Sequence, residues 1–571
     1  MIGGMSAILA VAVSLCCAQG HRGAEMSWTT YEAEAMKSTG TVLGPKYRPH
    51  LVETESSGQQ CVRLAEAGQY VAFTAQSAAN AMIVRYSLPD AVEGGGTRAT
   101  LALYRNGERI QEFAITSQDS WLYGDYPFTN NPNAGKPRNF YDEIRVKGLS
   151  IAKGDLVRIE RVDGGTANYC IIDLIELENI SPPLEAPPQS IPIADASPGR
   201  GDSTDQDYTE TLRRCIAEAA VAGKSVWLPP GTFKISGDIV VPSNVTIQGA
   251  GMWHTTVVGD ESQYAVPNKR VRIIGRGDNI RLADFAVVGK LDYRDDGEAN
   301  DGIVGSFGTN STISRLWIEH TKVGVWVENS HQLVVEGCRF RNTIADGINL
   351  CVGSSHCTVQ NCTARGTGDD CFAIWPATYT AQKYSPGFNI IRRCTGQLPF
   401  LANGAALYGG RSNQVLDCLF TDITAGAAIL ISTTFPTLDS QKNIDNNFSG
   451  TTVVRNCQVL RCGGFDHVWQ WRAAVQLCLD RRSMSGVALM DLSILDSLSD
   501  GLSIVAPGSK NGQGMLSDAN LDSVHITHYG IGVPARHGLW IRSDAQGSLT
   551  IRNSGISESK NDSKDFVIQR E

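Results

Sequence analysis

Five cysteines constrain this chain more than any other feature. Cys338, Cys362, Cys394, Cys418 and Cys457 follow one another at intervals of 24, 32, 24 and 39 residues. The shortest interval is one coil of a parallel β-helix with tight turns, and the longer ones are coils carrying insertions. Short strands recur after four of these cysteines and after Leu492, in the segments ADGINL, DDCFAIW, NGAALYG, GAAILIS and SDGLSIV, each supplying alternate inward apolar side chains. Asp346 is eight residues after Cys338, Asp370 eight after Cys362, Gly426 eight after Cys418 and Asp500 eight after Leu492, while Asn403 is nine after Cys394. The cysteines read as an inward packing ladder of small hydrophobes that requires no disulfides.

A β-helix needs a cap, because an open end exposes unpaired strand edges and the apolar interior. The segment DSTDQDYTETLRRCIAEAAVAGKSVWLPPGTF supplies one. Thr204 or Asp205 can cap a helix in which Leu212, Cys215, Ile216 and Ala219 share a face, and Gly223 ends it. Before it the chain reads as short strands with the Gly, Asn, Ser and Asp punctuation of an all-β protein. The expected organisation is a signal peptide at 1–20, a β-sandwich (jelly-roll) module at 28–179, a Pro-rich semi-rigid linker at 180–198, and a right-handed parallel β-helix with an N-terminal capping helix at 199–571.

The apolar segment MIGGMSAILAVAVSLCCAQG points to export, with cleavage near Ala18, and to a secreted, periplasmic or cell-surface protein. No other segment is long and apolar enough to span a bilayer. A formal charge of −9, a pI near 5.7 and no Lys/Arg block exclude a nucleic-acid or anionic-membrane partner. A capped β-helix needs no second copy, so a monomer is expected.

The repeat places Asp346 and Asp370 at equivalent positions on consecutive coils, about 4.8 Å apart at the backbone, with Asp369 beside them. Three carboxyl groups so close repel one another and raise at least one pKa, as functional sites do. Hydrolysis of a glycosidic bond with inversion needs one carboxylic acid for the leaving oxygen and one carboxylate to activate water. On this reading Asp346 and Asp370 hold the water and Asp369 is the acid. Insertions at 375–389, 434–447 and 462–482 should form cleft walls, where the flat rings of Trp375, Tyr408, Trp469 or Trp471 suit pyranose C–H faces. Asn349, Asn403 and Arg411 complete the candidate substrate contacts, although Asn403 equally suits an asparagine ladder in the turns.

The run IADGIN, GTGDDCFAIW and ANGAALYGG resembles the catalytic core of glycoside hydrolase family 87, the α-1,3-glucanases and mycodextranases, within the pectate-lyase-like β-helix superfamily. That resemblance implies an inverting hydrolase of α-1,3-glucan or nigeran whose catalytic set is Asp346, Asp369 and Asp370, with no organic cofactor. YEAEAM, SSGQQCVRLAEAGQYVAFT and YCIIDLIELE resemble strands of family 6 and 35 type carbohydrate-binding modules, which implies a structural calcium shared by Glu32, Glu34 and Asp173. Three alternatives stay open. One is a polygalacturonase-like enzyme, although its Gly-His-Gly and Arg-Ile-Lys motifs are missing. The others are a lyase with aspartate-bound calcium and Arg411 as base, and a non-catalytic adhesin.

Overall fold

The computed structural model describes residues 22–194, 206–435, 438, 443–467, 470–480, 482–507 and 514–571. The expected signal peptide, Thr204, Asp205 and Trp469 lie outside them. Two antiparallel sheets form the N-terminal sandwich. One contains Cys61–Leu64, Ala79–Ser87, Asp142–Ile151 and Cys170–Glu178, with the opening strand Trp28–Glu32 paired antiparallel to Leu174–Glu178. The other contains Tyr70–Thr74, Arg98–Arg105, Glu108–Thr116 and Leu156–Gly165. Alternation sends Val62, Leu64, Val84, Leu101, Leu103, Val157, Ile159 and Ile172 into the shared core.

Strand Cys170–Glu178 is buried along its whole length although it carries Asp173, Glu176 and Glu178. A strand with one apolar face is normally wet on the other, so something must cover these carboxylates. The second domain does so. Arg339 meets Glu178 at 2.6 Å, and Arg365 bridges Glu176 and Glu143 at 2.6 Å each. Arg145 reaches Glu319 at 2.9 Å. Trp317, fully buried, lies beneath the guanidinium groups of Arg145, Arg339 and Arg341. The two domains therefore share a buried ionic interface in place of a free linker. The helix also begins inside the expected linker, since Ile191–Pro192 pairs in parallel with Val226–Trp227.

The second domain is a parallel β-helix with sheets of 14, 12 and 12 strands among the described residues. Its capping helix spans Thr209–Ala222, buries Leu212, Cys215, Ile216 and Ala219, and ends at Gly223 with φ 65°. Tyr208 is the N-cap residue, and Asp207 before it accepts the Thr209 N–H at 2.8 Å. The cysteine ladder has a backbone cause. The residue before each ladder cysteine is left-handed, namely Gly337, Asn361, Arg393, Asp417 and Asn456. That conformation turns the chain sharply, and the following thiol fills the inside of the corner. Each thiol donates to the carbonyl two residues earlier, at 3.2–3.5 Å. All thirteen described cysteines are free and buried.

Candidate active site

Strands Ile348–Leu350, Phe372–Ile374 and Ala405–Leu407 are consecutive members of one sheet, with Ile348 opposite Phe372 and Phe372 opposite Ala405. Asp346, Asp370 and Asn403 each stand two residues before these partners and so form one column. The next position in the column is Ala427, because Ala405 pairs with Ile429. Gly426, the residue counted from the sequence, is one place early. The coil of Asn403 carries one extra residue after its cysteine, and the coil after it keeps that residue.

The column opens into a cleft of about 1110 Å³. Each of Asp346, Asp369 and Asp370 brings a carboxylate oxygen within 4.8 Å of the other two. Their surroundings differ. Asp370 is buried and accepts the Asn403 N–H at 3.1 Å, the Asn403 Nδ2 at 2.8 Å and the Tyr408 hydroxyl at 3.0 Å. Burial and then the charge of Asp369 still push it up to about 7. Asp346 accepts a single bond, from Asn349 Nδ2 at 3.1 Å. Burial first, then Asp369 and Asp370, hold its pKa well above the usual carboxylate range. Asp369 has the most exposed side chain of the three and pairs with Arg294 at 2.6 Å.

This pairing sets Asp369 apart from the other two, since only it has a charge-assisted ion pair with a guanidinium. Asp346 has no ion pair of its own and lies beside two carboxyl groups, and burial and those neighbours outweigh the lowering effect of Arg294.

Trp375 forms an aromatic wall with Trp326, Tyr379 and Phe435, at ring separations of 6.0, 5.9 and 5.5 Å. Trp375 Nε1 and Asn349 Oδ1 are buried without protein partners, which leaves one donor and one acceptor for sugar hydroxyls. Tyr408 is buried, and its hydroxyl serves Asp370. Arg411 does not line the cleft. It is exposed and lies over the ring of Phe388, 5.4 Å from its centroid, which removes it as the base of an elimination.

The sequence reading missed Arg294, which sits on an insertion between Ala286–Val288 and Gly302–Thr309. It also missed Tyr126, a sandwich residue that lines the cleft, lies beneath Arg294 and packs 5.4 Å from His467. The length of the insertion was the one available signal.

The expected calcium ligands Glu32, Glu34 and Asp173 are neighbours but are not among the groups that bring three ligand atoms together. Among the described residues, two groups bring three ligand atoms together, Asp346–Asp369–Asp370 and Asp119–Asp142–His320. Asp173 is instead ion-paired with Arg85 and accepts the Ser57 N–H at 2.9 Å. Glu32 is raised to about 8 by burial, then by Asp173 and Glu34, and burial raises Glu34 to about 7.

Family models of α-1,3-glucanase catalytic domain D1 and domain D2 match residues 25–180 and 204–563. Comparison with curated proteins gave no match. Among solved structures, the catalytic unit of a thermostable GH87 α-1,3-glucanase from Streptomyces thermodiastaticus strain HF3-3 is 29% identical, with TM-score 0.81 and 96% of each chain covered. A GH87 α-1,3-glucanase catalytic domain in complex with nigerose is 25% identical, with TM-score 0.79, covering 96% of this chain and 99% of that one. Three aspartate-to-alanine variants have been solved with nigerose or tetrasaccharides, at positions of which the second and third follow the first by 23 and 24 residues.

Proposed function

This chain belongs to the α-1,3-glucanases of glycoside hydrolase family 87, and from that premise we propose that it cleaves α-1,3-glucosidic bonds of a neutral α-glucan with inversion. Asp346 protonates the leaving oxygen, and Asp369 activates a water that Asp370 helps to orient. The observation that carries this reading is the unequal treatment of three carboxyl groups within 4.8 Å. One is paired with a cation and one is buried beside two negative charges. A second support is spacing, since Asp369 and Asp370 follow Asp346 by 23 and 24 residues, as the substituted aspartates of the relatives do.

Aromatic walls suit an uncharged pyranose chain, and α-1,3-glucan and nigeran both remain candidate substrates. The N-terminal apolar segment supports export, and the capped helix supports a monomer. The test is reducing-sugar release from insoluble α-1,3-glucan, nigeran, dextran and polygalacturonate. Release from an α-1,3-linked glucan, abolished in Asp346→Asn and Asp369→Asn, is expected. Release from polygalacturonate alone would overturn the proposal.

Retention is the second reading, because retaining enzymes hold their carboxyl groups about 5–5.5 Å apart and inverting ones about 6.5–9.5 Å. The anomer released first decides between them by proton NMR. Inversion gives the β-hemiacetal from an α-linkage, and retention gives the α.

A further inference from the structure

Arg411, excluded from the cleft, ends a second row of rings. Tyr384 stacks on His331 at 5.3 Å, His331 meets His356 at 5.0 Å, and His356 stacks on Phe388 at 4.8 Å. Arg411 covers the far end of the row and Lys383 the near end. The row runs across four consecutive coils, since His331 bridges Ser355, Ser355 bridges Gly387 and Gly387 bridges Arg411. Its rings reach solvent, with Phe388 38% exposed and His356 exposed.

Two observations mark the row as more than turn packing. His356 and Phe388 hold φ of 54° and 56°, a conformation that histidine and asparagine tolerate but that is disfavoured for a bulky ring such as that of Phe388. On earlier coils the same turn position is Asn244, Asn279 and Asn310, which bond to one another through their amides at 2.8–2.9 Å. The asparagine ladder gives way to Gln332 on the next coil, then to the rings of His356 and Phe388 on the coils that carry Asp346 and Asp370, and then to Ser412. A local rule broken at the level of a site is the expected sign of a functional demand. The row is also continuous with the cleft. Strand Val325–His331 carries Trp326 and Glu328 in the cleft and His331 in the row, and Asn329 ties the two by accepting the Lys383 N–H at 2.6 Å.

We propose that Tyr384, His331, His356 and Phe388 form a second saccharide-binding platform, outside the catalytic cleft, that holds a neutral glucan chain against the enzyme by ring stacking. The proposal rests on the α-glucan reading for the identity of the ligand. Flat rings flanked by Lys383 and Arg411, whose N–H groups can donate to hydroxyls, suit a polyhydroxylated chain with apolar faces. Burial and the neighbouring His331 lower the pKa of His356, which keeps that ring uncharged at neutral pH.

The test uses the double variant His356→Asn plus Phe388→Asn, which restores the ladder residue and should fold at least as well as the parent. Two quantities are read on the full-length protein: depletion onto insoluble α-1,3-glucan in the cold, and kcat/KM on a soluble α-1,3-linked oligosaccharide. The platform predicts binding to insoluble glucan weakened by at least about fivefold, with soluble turnover within about twofold of the parent. Unchanged depletion would overturn it, and so would an equal fall in both readouts. A change in sedimentation of the glucan-free protein, with depletion intact, would make the row a self-association surface and overturn it as well. A parent that depletes onto the glucan but turns over no α-1,3-linked oligosaccharide defeats the proposed activity alone, and the comparison with the variant still tests the platform.

Discussion

Arg294 Nη2 lies 2.6 Å from Asp369 Oδ2, and the guanidinium is 6% exposed while the carboxylate is 27% exposed. A buried cation thus pairs with the carboxylate nearest to solvent and also lowers the pKa of Asp346. Replacing Arg294 by Gln should remove both effects. We expect kcat to fall about 100-fold, and the acidic limb of the pH profile of kcat/KM to move to higher pH. Arg294→Lys keeps the charge and should hold the limb in place while losing part of kcat. A Gln variant with the parent profile would remove Arg294 from the mechanism.

If Asp346 is the acid, its importance depends on the leaving group. Asp346→Asn should lower turnover of the polysaccharide by about 10³-fold, within the usual range for a lost general acid. An α-1,3-linked oligosaccharyl fluoride needs no proton to leave, and the same variant should lose only about tenfold on it. Asp369→Asn should lose activity on both substrates alike, since water activation is needed in each. The opposite pattern would restore Asp369 as the acid.

Tyr408 donates to Asp370 and favours its charged form. Tyr408→Phe removes that donor without emptying the space, and a hydrogen bond to a charged group is worth about 1.5–3 kcal/mol. Asp370, already raised to about 7, should rise by about one further unit. The ionisation seen in the pH profile of kcat/KM should move up with it, while KM changes little.

The coil register was readable because a corner recurs. A left-handed residue followed by a cysteine fixes where each strand starts, and Asp346 and Asp370 follow from it. The count failed by one at Gly426, where the spacing changed within the repeat. The cap helix was legible from its apolar face and from Gly223, whereas the carboxylate that accepts its first N–H, Asp207, was missed by two positions. Arg294 and Tyr126 were invisible because they enter the cleft from an aperiodic insertion and from the other domain. The proposed acid and base roles rest on Arg294, whose position no repeat in the sequence announces.

The domain interface makes the last prediction, on stability against pH. Burial alone would raise Glu143, but Arg365 and then Arg341 outweigh it and bring its carboxyl down to about 2. Its folded pKa lies below the ordinary 4.5, so its stabilisation is present above pH about 4.5 and is lost as pH falls towards 2. Glu32 and Glu34 act in the opposite sense, with folded pKa values of about 8 and about 7. Their contribution is full below pH about 4.5 and is lost as pH rises through 7 and 8. Melting temperature should therefore peak near pH 4.5 and fall between there and about 8. Glu32→Gln should flatten the alkaline side alone. Arg365→Met should cost about 3–5 kcal/mol by leaving Glu143 and Glu176 buried without their cation, and it should weaken the acid limb, because Glu143 then gains less from ionising. A melting temperature still rising above pH 8 would contradict this account of the interface.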